Sequence, residues 1–125
     1  MLNGDNKSRR ILIVEDEMLI ALSLEDMLVE LGHTVVAMAA RIPEALKLAA
    51  ESSIDLAILD VNLSGLPSFP VADVLRSRGI PFVFATGYGS YGLEESYRNE
   101  IVLTKPYGVR ELKNAIWNVL NVRAI

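Results

Sequence analysis

At 125 residues the chain suits a single domain able to bury a sizeable core, and its 12 basic against 16 acidic residues leave a formal charge of −4. The charges are spread along the chain, so no basic track for nucleic acid is expected, and the lack of cysteine excludes disulfides and thiolate metal sites. Neither the polar opening MLNGDNKSRR nor any apolar run suits a signal peptide or a membrane span, so a cytoplasmic protein with no membrane partner is expected.

Short apolar runs alternate with helix-period segments, the pattern of repeated βα units around a parallel sheet. Five of each are expected. The first strand is read at 11–14 and the first helix at about 18–31, with Ile20, Leu24, Met27, Leu28 and Leu31 on one stripe and Gly32 as its stop. A second strand at 34–38 precedes a helix opened by Pro43 and Glu44, proline being tolerated in a first turn. The third strand, 56–59, leads into a loop rich in Ser, Gly and Pro, then a helix carrying Val71, Val74 and Leu75 that Gly79 ends. The fourth strand is 80–85. Gly89 and Gly92 interrupt the segment 88–100, so its helical content is confined to 93–98. A fifth strand at 101–103 and a last helix at about 109–122, with Leu112, Ile116, Val119 and Leu120 inward, complete the reading. An apolar content of 51% fits strands buried on both faces, and the fold class is α/β: a flavodoxin-like three-layer sandwich of five parallel strands in the order 2-1-3-4-5.

Ligands of open parallel sheets bind beyond the carboxyl ends of the strands. Those positions carry Glu15, Asp16 and Glu17 after the first strand, Asp60 after the third, Thr86 after the fourth and Lys105 after the fifth. Gathered carboxylates repel one another unless a cation or proton intervenes. Oxygen-only donors with no histidine or cysteine beside them point to Mg²⁺, which keeps waters and shares phosphate oxygens. Lysine adds a positive charge for an anion and threonine a hydroxyl donor. Together they form a pocket for a phosphoryl group bonded to an aspartate, held on a buried strand that ends in ILDVNLSG.

ILIVEDE, ILDVNLSG, FVFATGYG and LTKPY, in that order, resemble the receiver domain of two-component response regulators. The resemblance covers the chain from Arg10 onward and implies a receiver domain at 10–125 after a disordered N-terminal segment at 1–9. By position it makes Asp60 the phosphoacceptor, Asp16 a direct Mg²⁺ ligand, Glu15 a ligand largely through water, and the Asn62 backbone carbonyl a further ligand. Thr86 would follow the phosphoryl oxygen, Lys105 would pair with it, and Pro106 would take a cis peptide. The implied donor is a histidine kinase or histidine phosphotransfer protein, and the implied output face is helix four, strand five and helix five. A single-domain regulator with no output domain is expected, catalysing only its own phosphorylation and dephosphorylation. Val102 stands where many receivers place a switching aromatic, and FATG with Val102 resembles the FAT-GUY subgroup instead. Gly87 and Tyr88 are then expected to set phosphate access and lifetime, with the segment 88–98 ordered on phosphorylation.

Competing readings carry less. A lone aspartate after a strand is usually a cap or turn former, and Glu17 suits the start of the first helix through its dipole. The G-x-G-x-x-G run at 87–92 opens a poor helix after the fourth strand, unlike a dinucleotide site. A haloacid-dehalogenase-type phosphohydrolase wants a second aspartate where Asn62 stands, and an unreactive interaction module would not need every reactive position filled. His33 is expected to be a solvated turn residue, and Tyr107 and Trp117 packing residues at the last helix.

Overall fold

In the computed structural model, which describes residues 7–87 and 92–123, the strands β1 (Arg10–Val14), β2 (Thr34–Ala39), β3 (Leu56–Asp60), β6 (Phe82–Thr86) and β7 (Val102–Thr104) form one parallel sheet. Its order, β2-β1-β3-β6-β7, is the 2-1-3-4-5 arrangement read from the sequence. Two further strands, β4 (Asn62–Leu63) and β5 (Leu66–Pro67), pair antiparallel in a small hairpin where the sequence suggested only a loop. Residues 1–6 and Tyr88, both singled out above, lie outside the described residues.

Side chains alternate across a strand, and here both faces are covered. Leu12 and Val14 of β1, Ala57 and Leu59 of β3, and Phe82 and Phe84 of β6 face one core with α2 (Ile42–Glu51) and α3 (Phe69–Ser77). Ile11, Ile13, Leu56, Ile58, Val83 and Ala85 face the opposite core with α1 (Met18–Glu30) and α4 (Val109–Arg123). Each fully buried Leu, Ile, Val or Phe contributes about 1.5–3 kcal/mol, which is why unbroken apolar runs become the central strands. In the pairing of β1 with β2 the partner of Ile11 is Val35 but that of Leu12 is Ala37, so Val36 is an extra residue and the ladder is irregular there.

Four α-helices are present among the described residues, and the expected fourth of five is replaced by a single 3-10 turn, Glu95–Tyr97. Gly92 bounds this turn on its N-terminal side. At φ +87 it lies in the left-handed region, so no right-handed helix runs through it, and Tyr97 N–H and Glu100 N–H donate to carbonyls only three residues back. The turn is fastened by Tyr97, whose ring stacks on Phe69 at 5.4 Å and meets Phe84 edge-on at 5.6 Å. Its hydroxyl donates to Asp73 Oδ1 on α3, and the Arg76 guanidinium lies 4.0 Å from the ring centre.

His33 departs from the expectation of a solvated turn residue. It is half-buried, and its Nδ1 accepts the Arg9 backbone N–H at 3.1 Å, tying the chain before β1 to the start of β2. Tyr107 packs against the α1/α4 core as expected, whereas Trp117 is 47% exposed on α4.

Candidate functional site

The carboxyl ends of β1, β3, β6 and β7 meet at one edge of the sheet. There Glu15, Asp16 and Asp60 each bring a carboxylate oxygen within 4.8 Å of the others. Glu15 is buried, with Oε1 accepting from Lys105 Nζ at 2.9 Å and Oε2 from the Glu17 N–H at 3.1 Å. Lys105 Nζ also donates to Asp60 Oδ2 at 3.1 Å, so one ammonium bridges two carboxylates from different strands. The Asn62 N–H donates to Asp60 Oδ1 at 3.2 Å. Asp16 is held from across the pocket: the N–H and Oγ of Ser64 both donate to its Oδ2, at 2.9 and 3.0 Å.

Burial pushes the Glu15 carboxyl well above the ordinary carboxylate range, against the bonds from Lys105 and Glu17. Burial would lower Lys105, but its bonds to Glu15 and Asp60 outweigh that and raise it. For Asp16 burial raises the carboxyl, but the bonds from the Ser64 hydroxyl and N–H, with others, together outweigh it and hold the carboxyl down.

Thr86 is buried at the end of β6, where its carbonyl accepts the Lys105 N–H at 2.8 Å. That bond sets Lys105 beside the carboxylates, and the Lys105–Pro106 peptide after it is cis. A cavity of about 900 Å³ opens over the cluster, lined by Asp16, Asp60, Asn62, Ser64, Thr86, Gly87, Gly92 and Lys105 among others. A Cβ on Gly87 would meet nothing within 4 Å, so the rim there is open.

The structure thus gathers Glu15, Asp16, Asp60, Asn62, Thr86, Gly87 and Lys105 in one place. Glu17 also lines the cavity but stands outside the three-carboxylate cluster: it is exposed at the N-cap of α1, and its side chain makes no capping bond. Sequence reasoning takes the loop 62–65 as free to arrange the metal and the phosphate but gives Ser64 itself no role. Its signal was the Ser64-Gly65 dipeptide, a two-residue turn between short strands too brief to show a pattern. Three carboxylates with oxygen donors only and a neighbouring hydroxyl fit a hard divalent cation such as Mg²⁺.

The sequence matches the response regulator receiver domain over residues 11–117. The chain belongs to this family. This receiver domain is 36% identical over 112 residues to the transcriptional regulatory protein PdtaR of Mycobacterium tuberculosis, a match covering 86% of the chain and 55% of PdtaR. It spans about half the length of the curated relatives it matches at this level. Among solved structures it is similar to SdrG from Sphingomonas melonis, with a TM-score of 0.78 and 41% identity over 94% of this chain and 98% of that one. It is also similar to the response regulator PhyR from Brucella abortus, with a TM-score of 0.82 and 30% identity, covering 97% of this chain and 52% of PhyR. The receiver domain is accordingly part of a two-component system, and its acidic cluster is consistent with Mg²⁺. No helix among the described residues is long and apolar enough to cross a membrane.

Proposed function

We propose that this receiver domain, residues 10–125, takes a phosphoryl group onto Asp60 from a phosphohistidine of a kinase or phosphotransfer protein in the cytoplasm. The observation that carries the reading is the Lys105 ammonium bridging Glu15 and Asp60 beside Asp16. An Asp60 carboxylate oxygen forms the new P–O bond while the P–N bond to the donor imidazole breaks, and the imidazole leaves with the electron pair and takes a proton. Mg²⁺, when bound, neutralises charge on the phosphoryl oxygens, and Glu15, Asp16, Asp60 and the Asn62 carbonyl are the residues to hold it. Lys105 pairs with the phosphoryl oxygen and the Thr86 hydroxyl donates to it.

Gly87 keeps the approach open, and Tyr88 tunes the lifetime of the acyl phosphate together with Asn62. The FATG segment and Val102 support a FAT-GUY-like response in which the stretch 88–98 reorganises rather than one aromatic rotating. Its output face is then the 3-10 turn, β7 and α4, read by a protein partner rather than nucleic acid. Intact mass after exposure to acetyl phosphate or a phosphorylated kinase tests the reading. A Mg²⁺-dependent phosphoryl adduct on wild type that Asp60→Asn loses is expected, and no adduct with either donor would overturn it.

A further inference from the structure

We propose that Ser64 is a positioning residue of the Mg²⁺ site, fixing the orientation of the Asp16 carboxylate beside Glu15 and Asp60; this rests on the function proposed above. Ser64 and Gly65 are the two central residues of the β4–β5 hairpin, with φ of +52 and +89. Positive φ at both positions is what a tight hairpin turn of this kind demands, and Asn, Asp or Gly meets that demand at the first position with less strain than serine. The turn itself therefore does not ask for serine. What serine adds is a hydroxyl, and that hydroxyl and the same residue's N–H both end on Asp16 Oδ2, 48 residues away in the chain.

The left-handed backbone aims the N–H, and the side chain supplies the second donor. Two donors on one oxygen restrict rotation of the carboxylate. Gly65 N–H in turn donates to Asn62 Oδ1 at 2.8 Å, so the turn is braced from inside while it holds Asp16. Hydrogen bonds of this outer kind orient metal ligands, and their loss typically weakens metal binding about 10–100-fold.

Calorimetric titration with MgCl₂ on wild type, Ser64→Ala and Ser64→Gly, together with thermal midpoints of each in EDTA, tests the assignment. Both variants keep the N–H and lose the hydroxyl, so about tenfold weaker Mg²⁺ binding is expected, at the lower end of that range. The EDTA midpoint of Ser64→Gly should stay close to that of wild type, since relief of the strain at φ +52 offsets the lost hydroxyl bond and the greater freedom of the unfolded chain. If Ser64→Gly lost midpoint and Mg²⁺ affinity together, Ser64 would be a loop support only and the proposal would fail. Equal or tighter Mg²⁺ binding by the variants also overturns it. A wild type that binds no Mg²⁺ would instead sink the function proposed above, and this inference with it.

Discussion

Lys105 is the only cation bonded to Glu15 and Asp60 among the described residues, so its removal leaves two largely buried carboxylates facing each other. Lys105→Met should lose about 1.5–3 kcal/mol in EDTA, the range for hydrogen bonds to charged groups, measured by urea unfolding. Added Mg²⁺ should recover part of that loss. His33 makes a separate prediction, away from the pocket. Burial, with the nearby Arg9 charge, holds its imidazole below the ordinary 6.5, and its Nδ1 serves as an acceptor only when unprotonated. The folded value is the depressed one, so this stability is present above pH 6.5 and lost as pH falls through the folded value. Urea midpoints should therefore drop with falling pH in that window, and His33→Phe should flatten the slope. His33 is the chain's single histidine, so its imidazole resonance can be followed without ambiguity.

Among the elements, the 3-10 turn is the one held mainly by side chains rather than by its own ladder. Tyr97→Phe keeps the stacked ring and removes the bond to the Asp73 carboxylate, so about 1.5 kcal/mol, the lower end of the range for bonds to charged groups, should be lost in urea unfolding. Gly92→Ala should cost about 1–2 kcal/mol in the same measurement. Nothing lies within 4 Å of the added Cβ, so that cost is backbone strain at φ +87 and not a clash. The glycines of this stretch did warn that the fourth helix was poor, but not what replaces it. Tyr97 reaches Asp73 and Phe69 across a gap of more than twenty residues, and no local pattern encodes such a contact. The hairpin escaped for the opposite reason. With two residues per strand it is too short for any period to register, and Ser64 was hidden within it. Asp60, by contrast, was legible because a buried run such as Leu56-Ala57-Ile58-Leu59 has few ways to end, and a polar residue marks where it leaves the core. The same logic exposed Glu15, Thr86 and Lys105 at the ends of their strands.

For the molecule as a whole, the sheet order is the one expected of five βα units wound in the 2-1-3-4-5 arrangement, which places four strand ends side by side. Folding also assembles the acidic cluster, bringing together carboxylates that are far apart in the unfolded chain, so a cation bound there must stabilise the fold. Mg²⁺ at about 100 times its Kd should raise the unfolding free energy by about 2.7 kcal/mol, read as a higher thermal midpoint than in EDTA. Asp16→Asn should lose most of that increment, while Asp26→Asn on the far part of α1 should keep it.

The irregular pairing of β1 with β2 bears on how the molecule behaves in a crowd. β2 is one border of the sheet and β7 the other, and a border strand carries a row of donors and acceptors that another chain can extend. The extra residue at Val36 breaks the regular ladder of the first border, and an extra residue of this kind bends and twists the strand that carries it. The second border is only three residues long. Among the described residues neither border is a long, flat edge on which a chance encounter between chains could turn into aggregation.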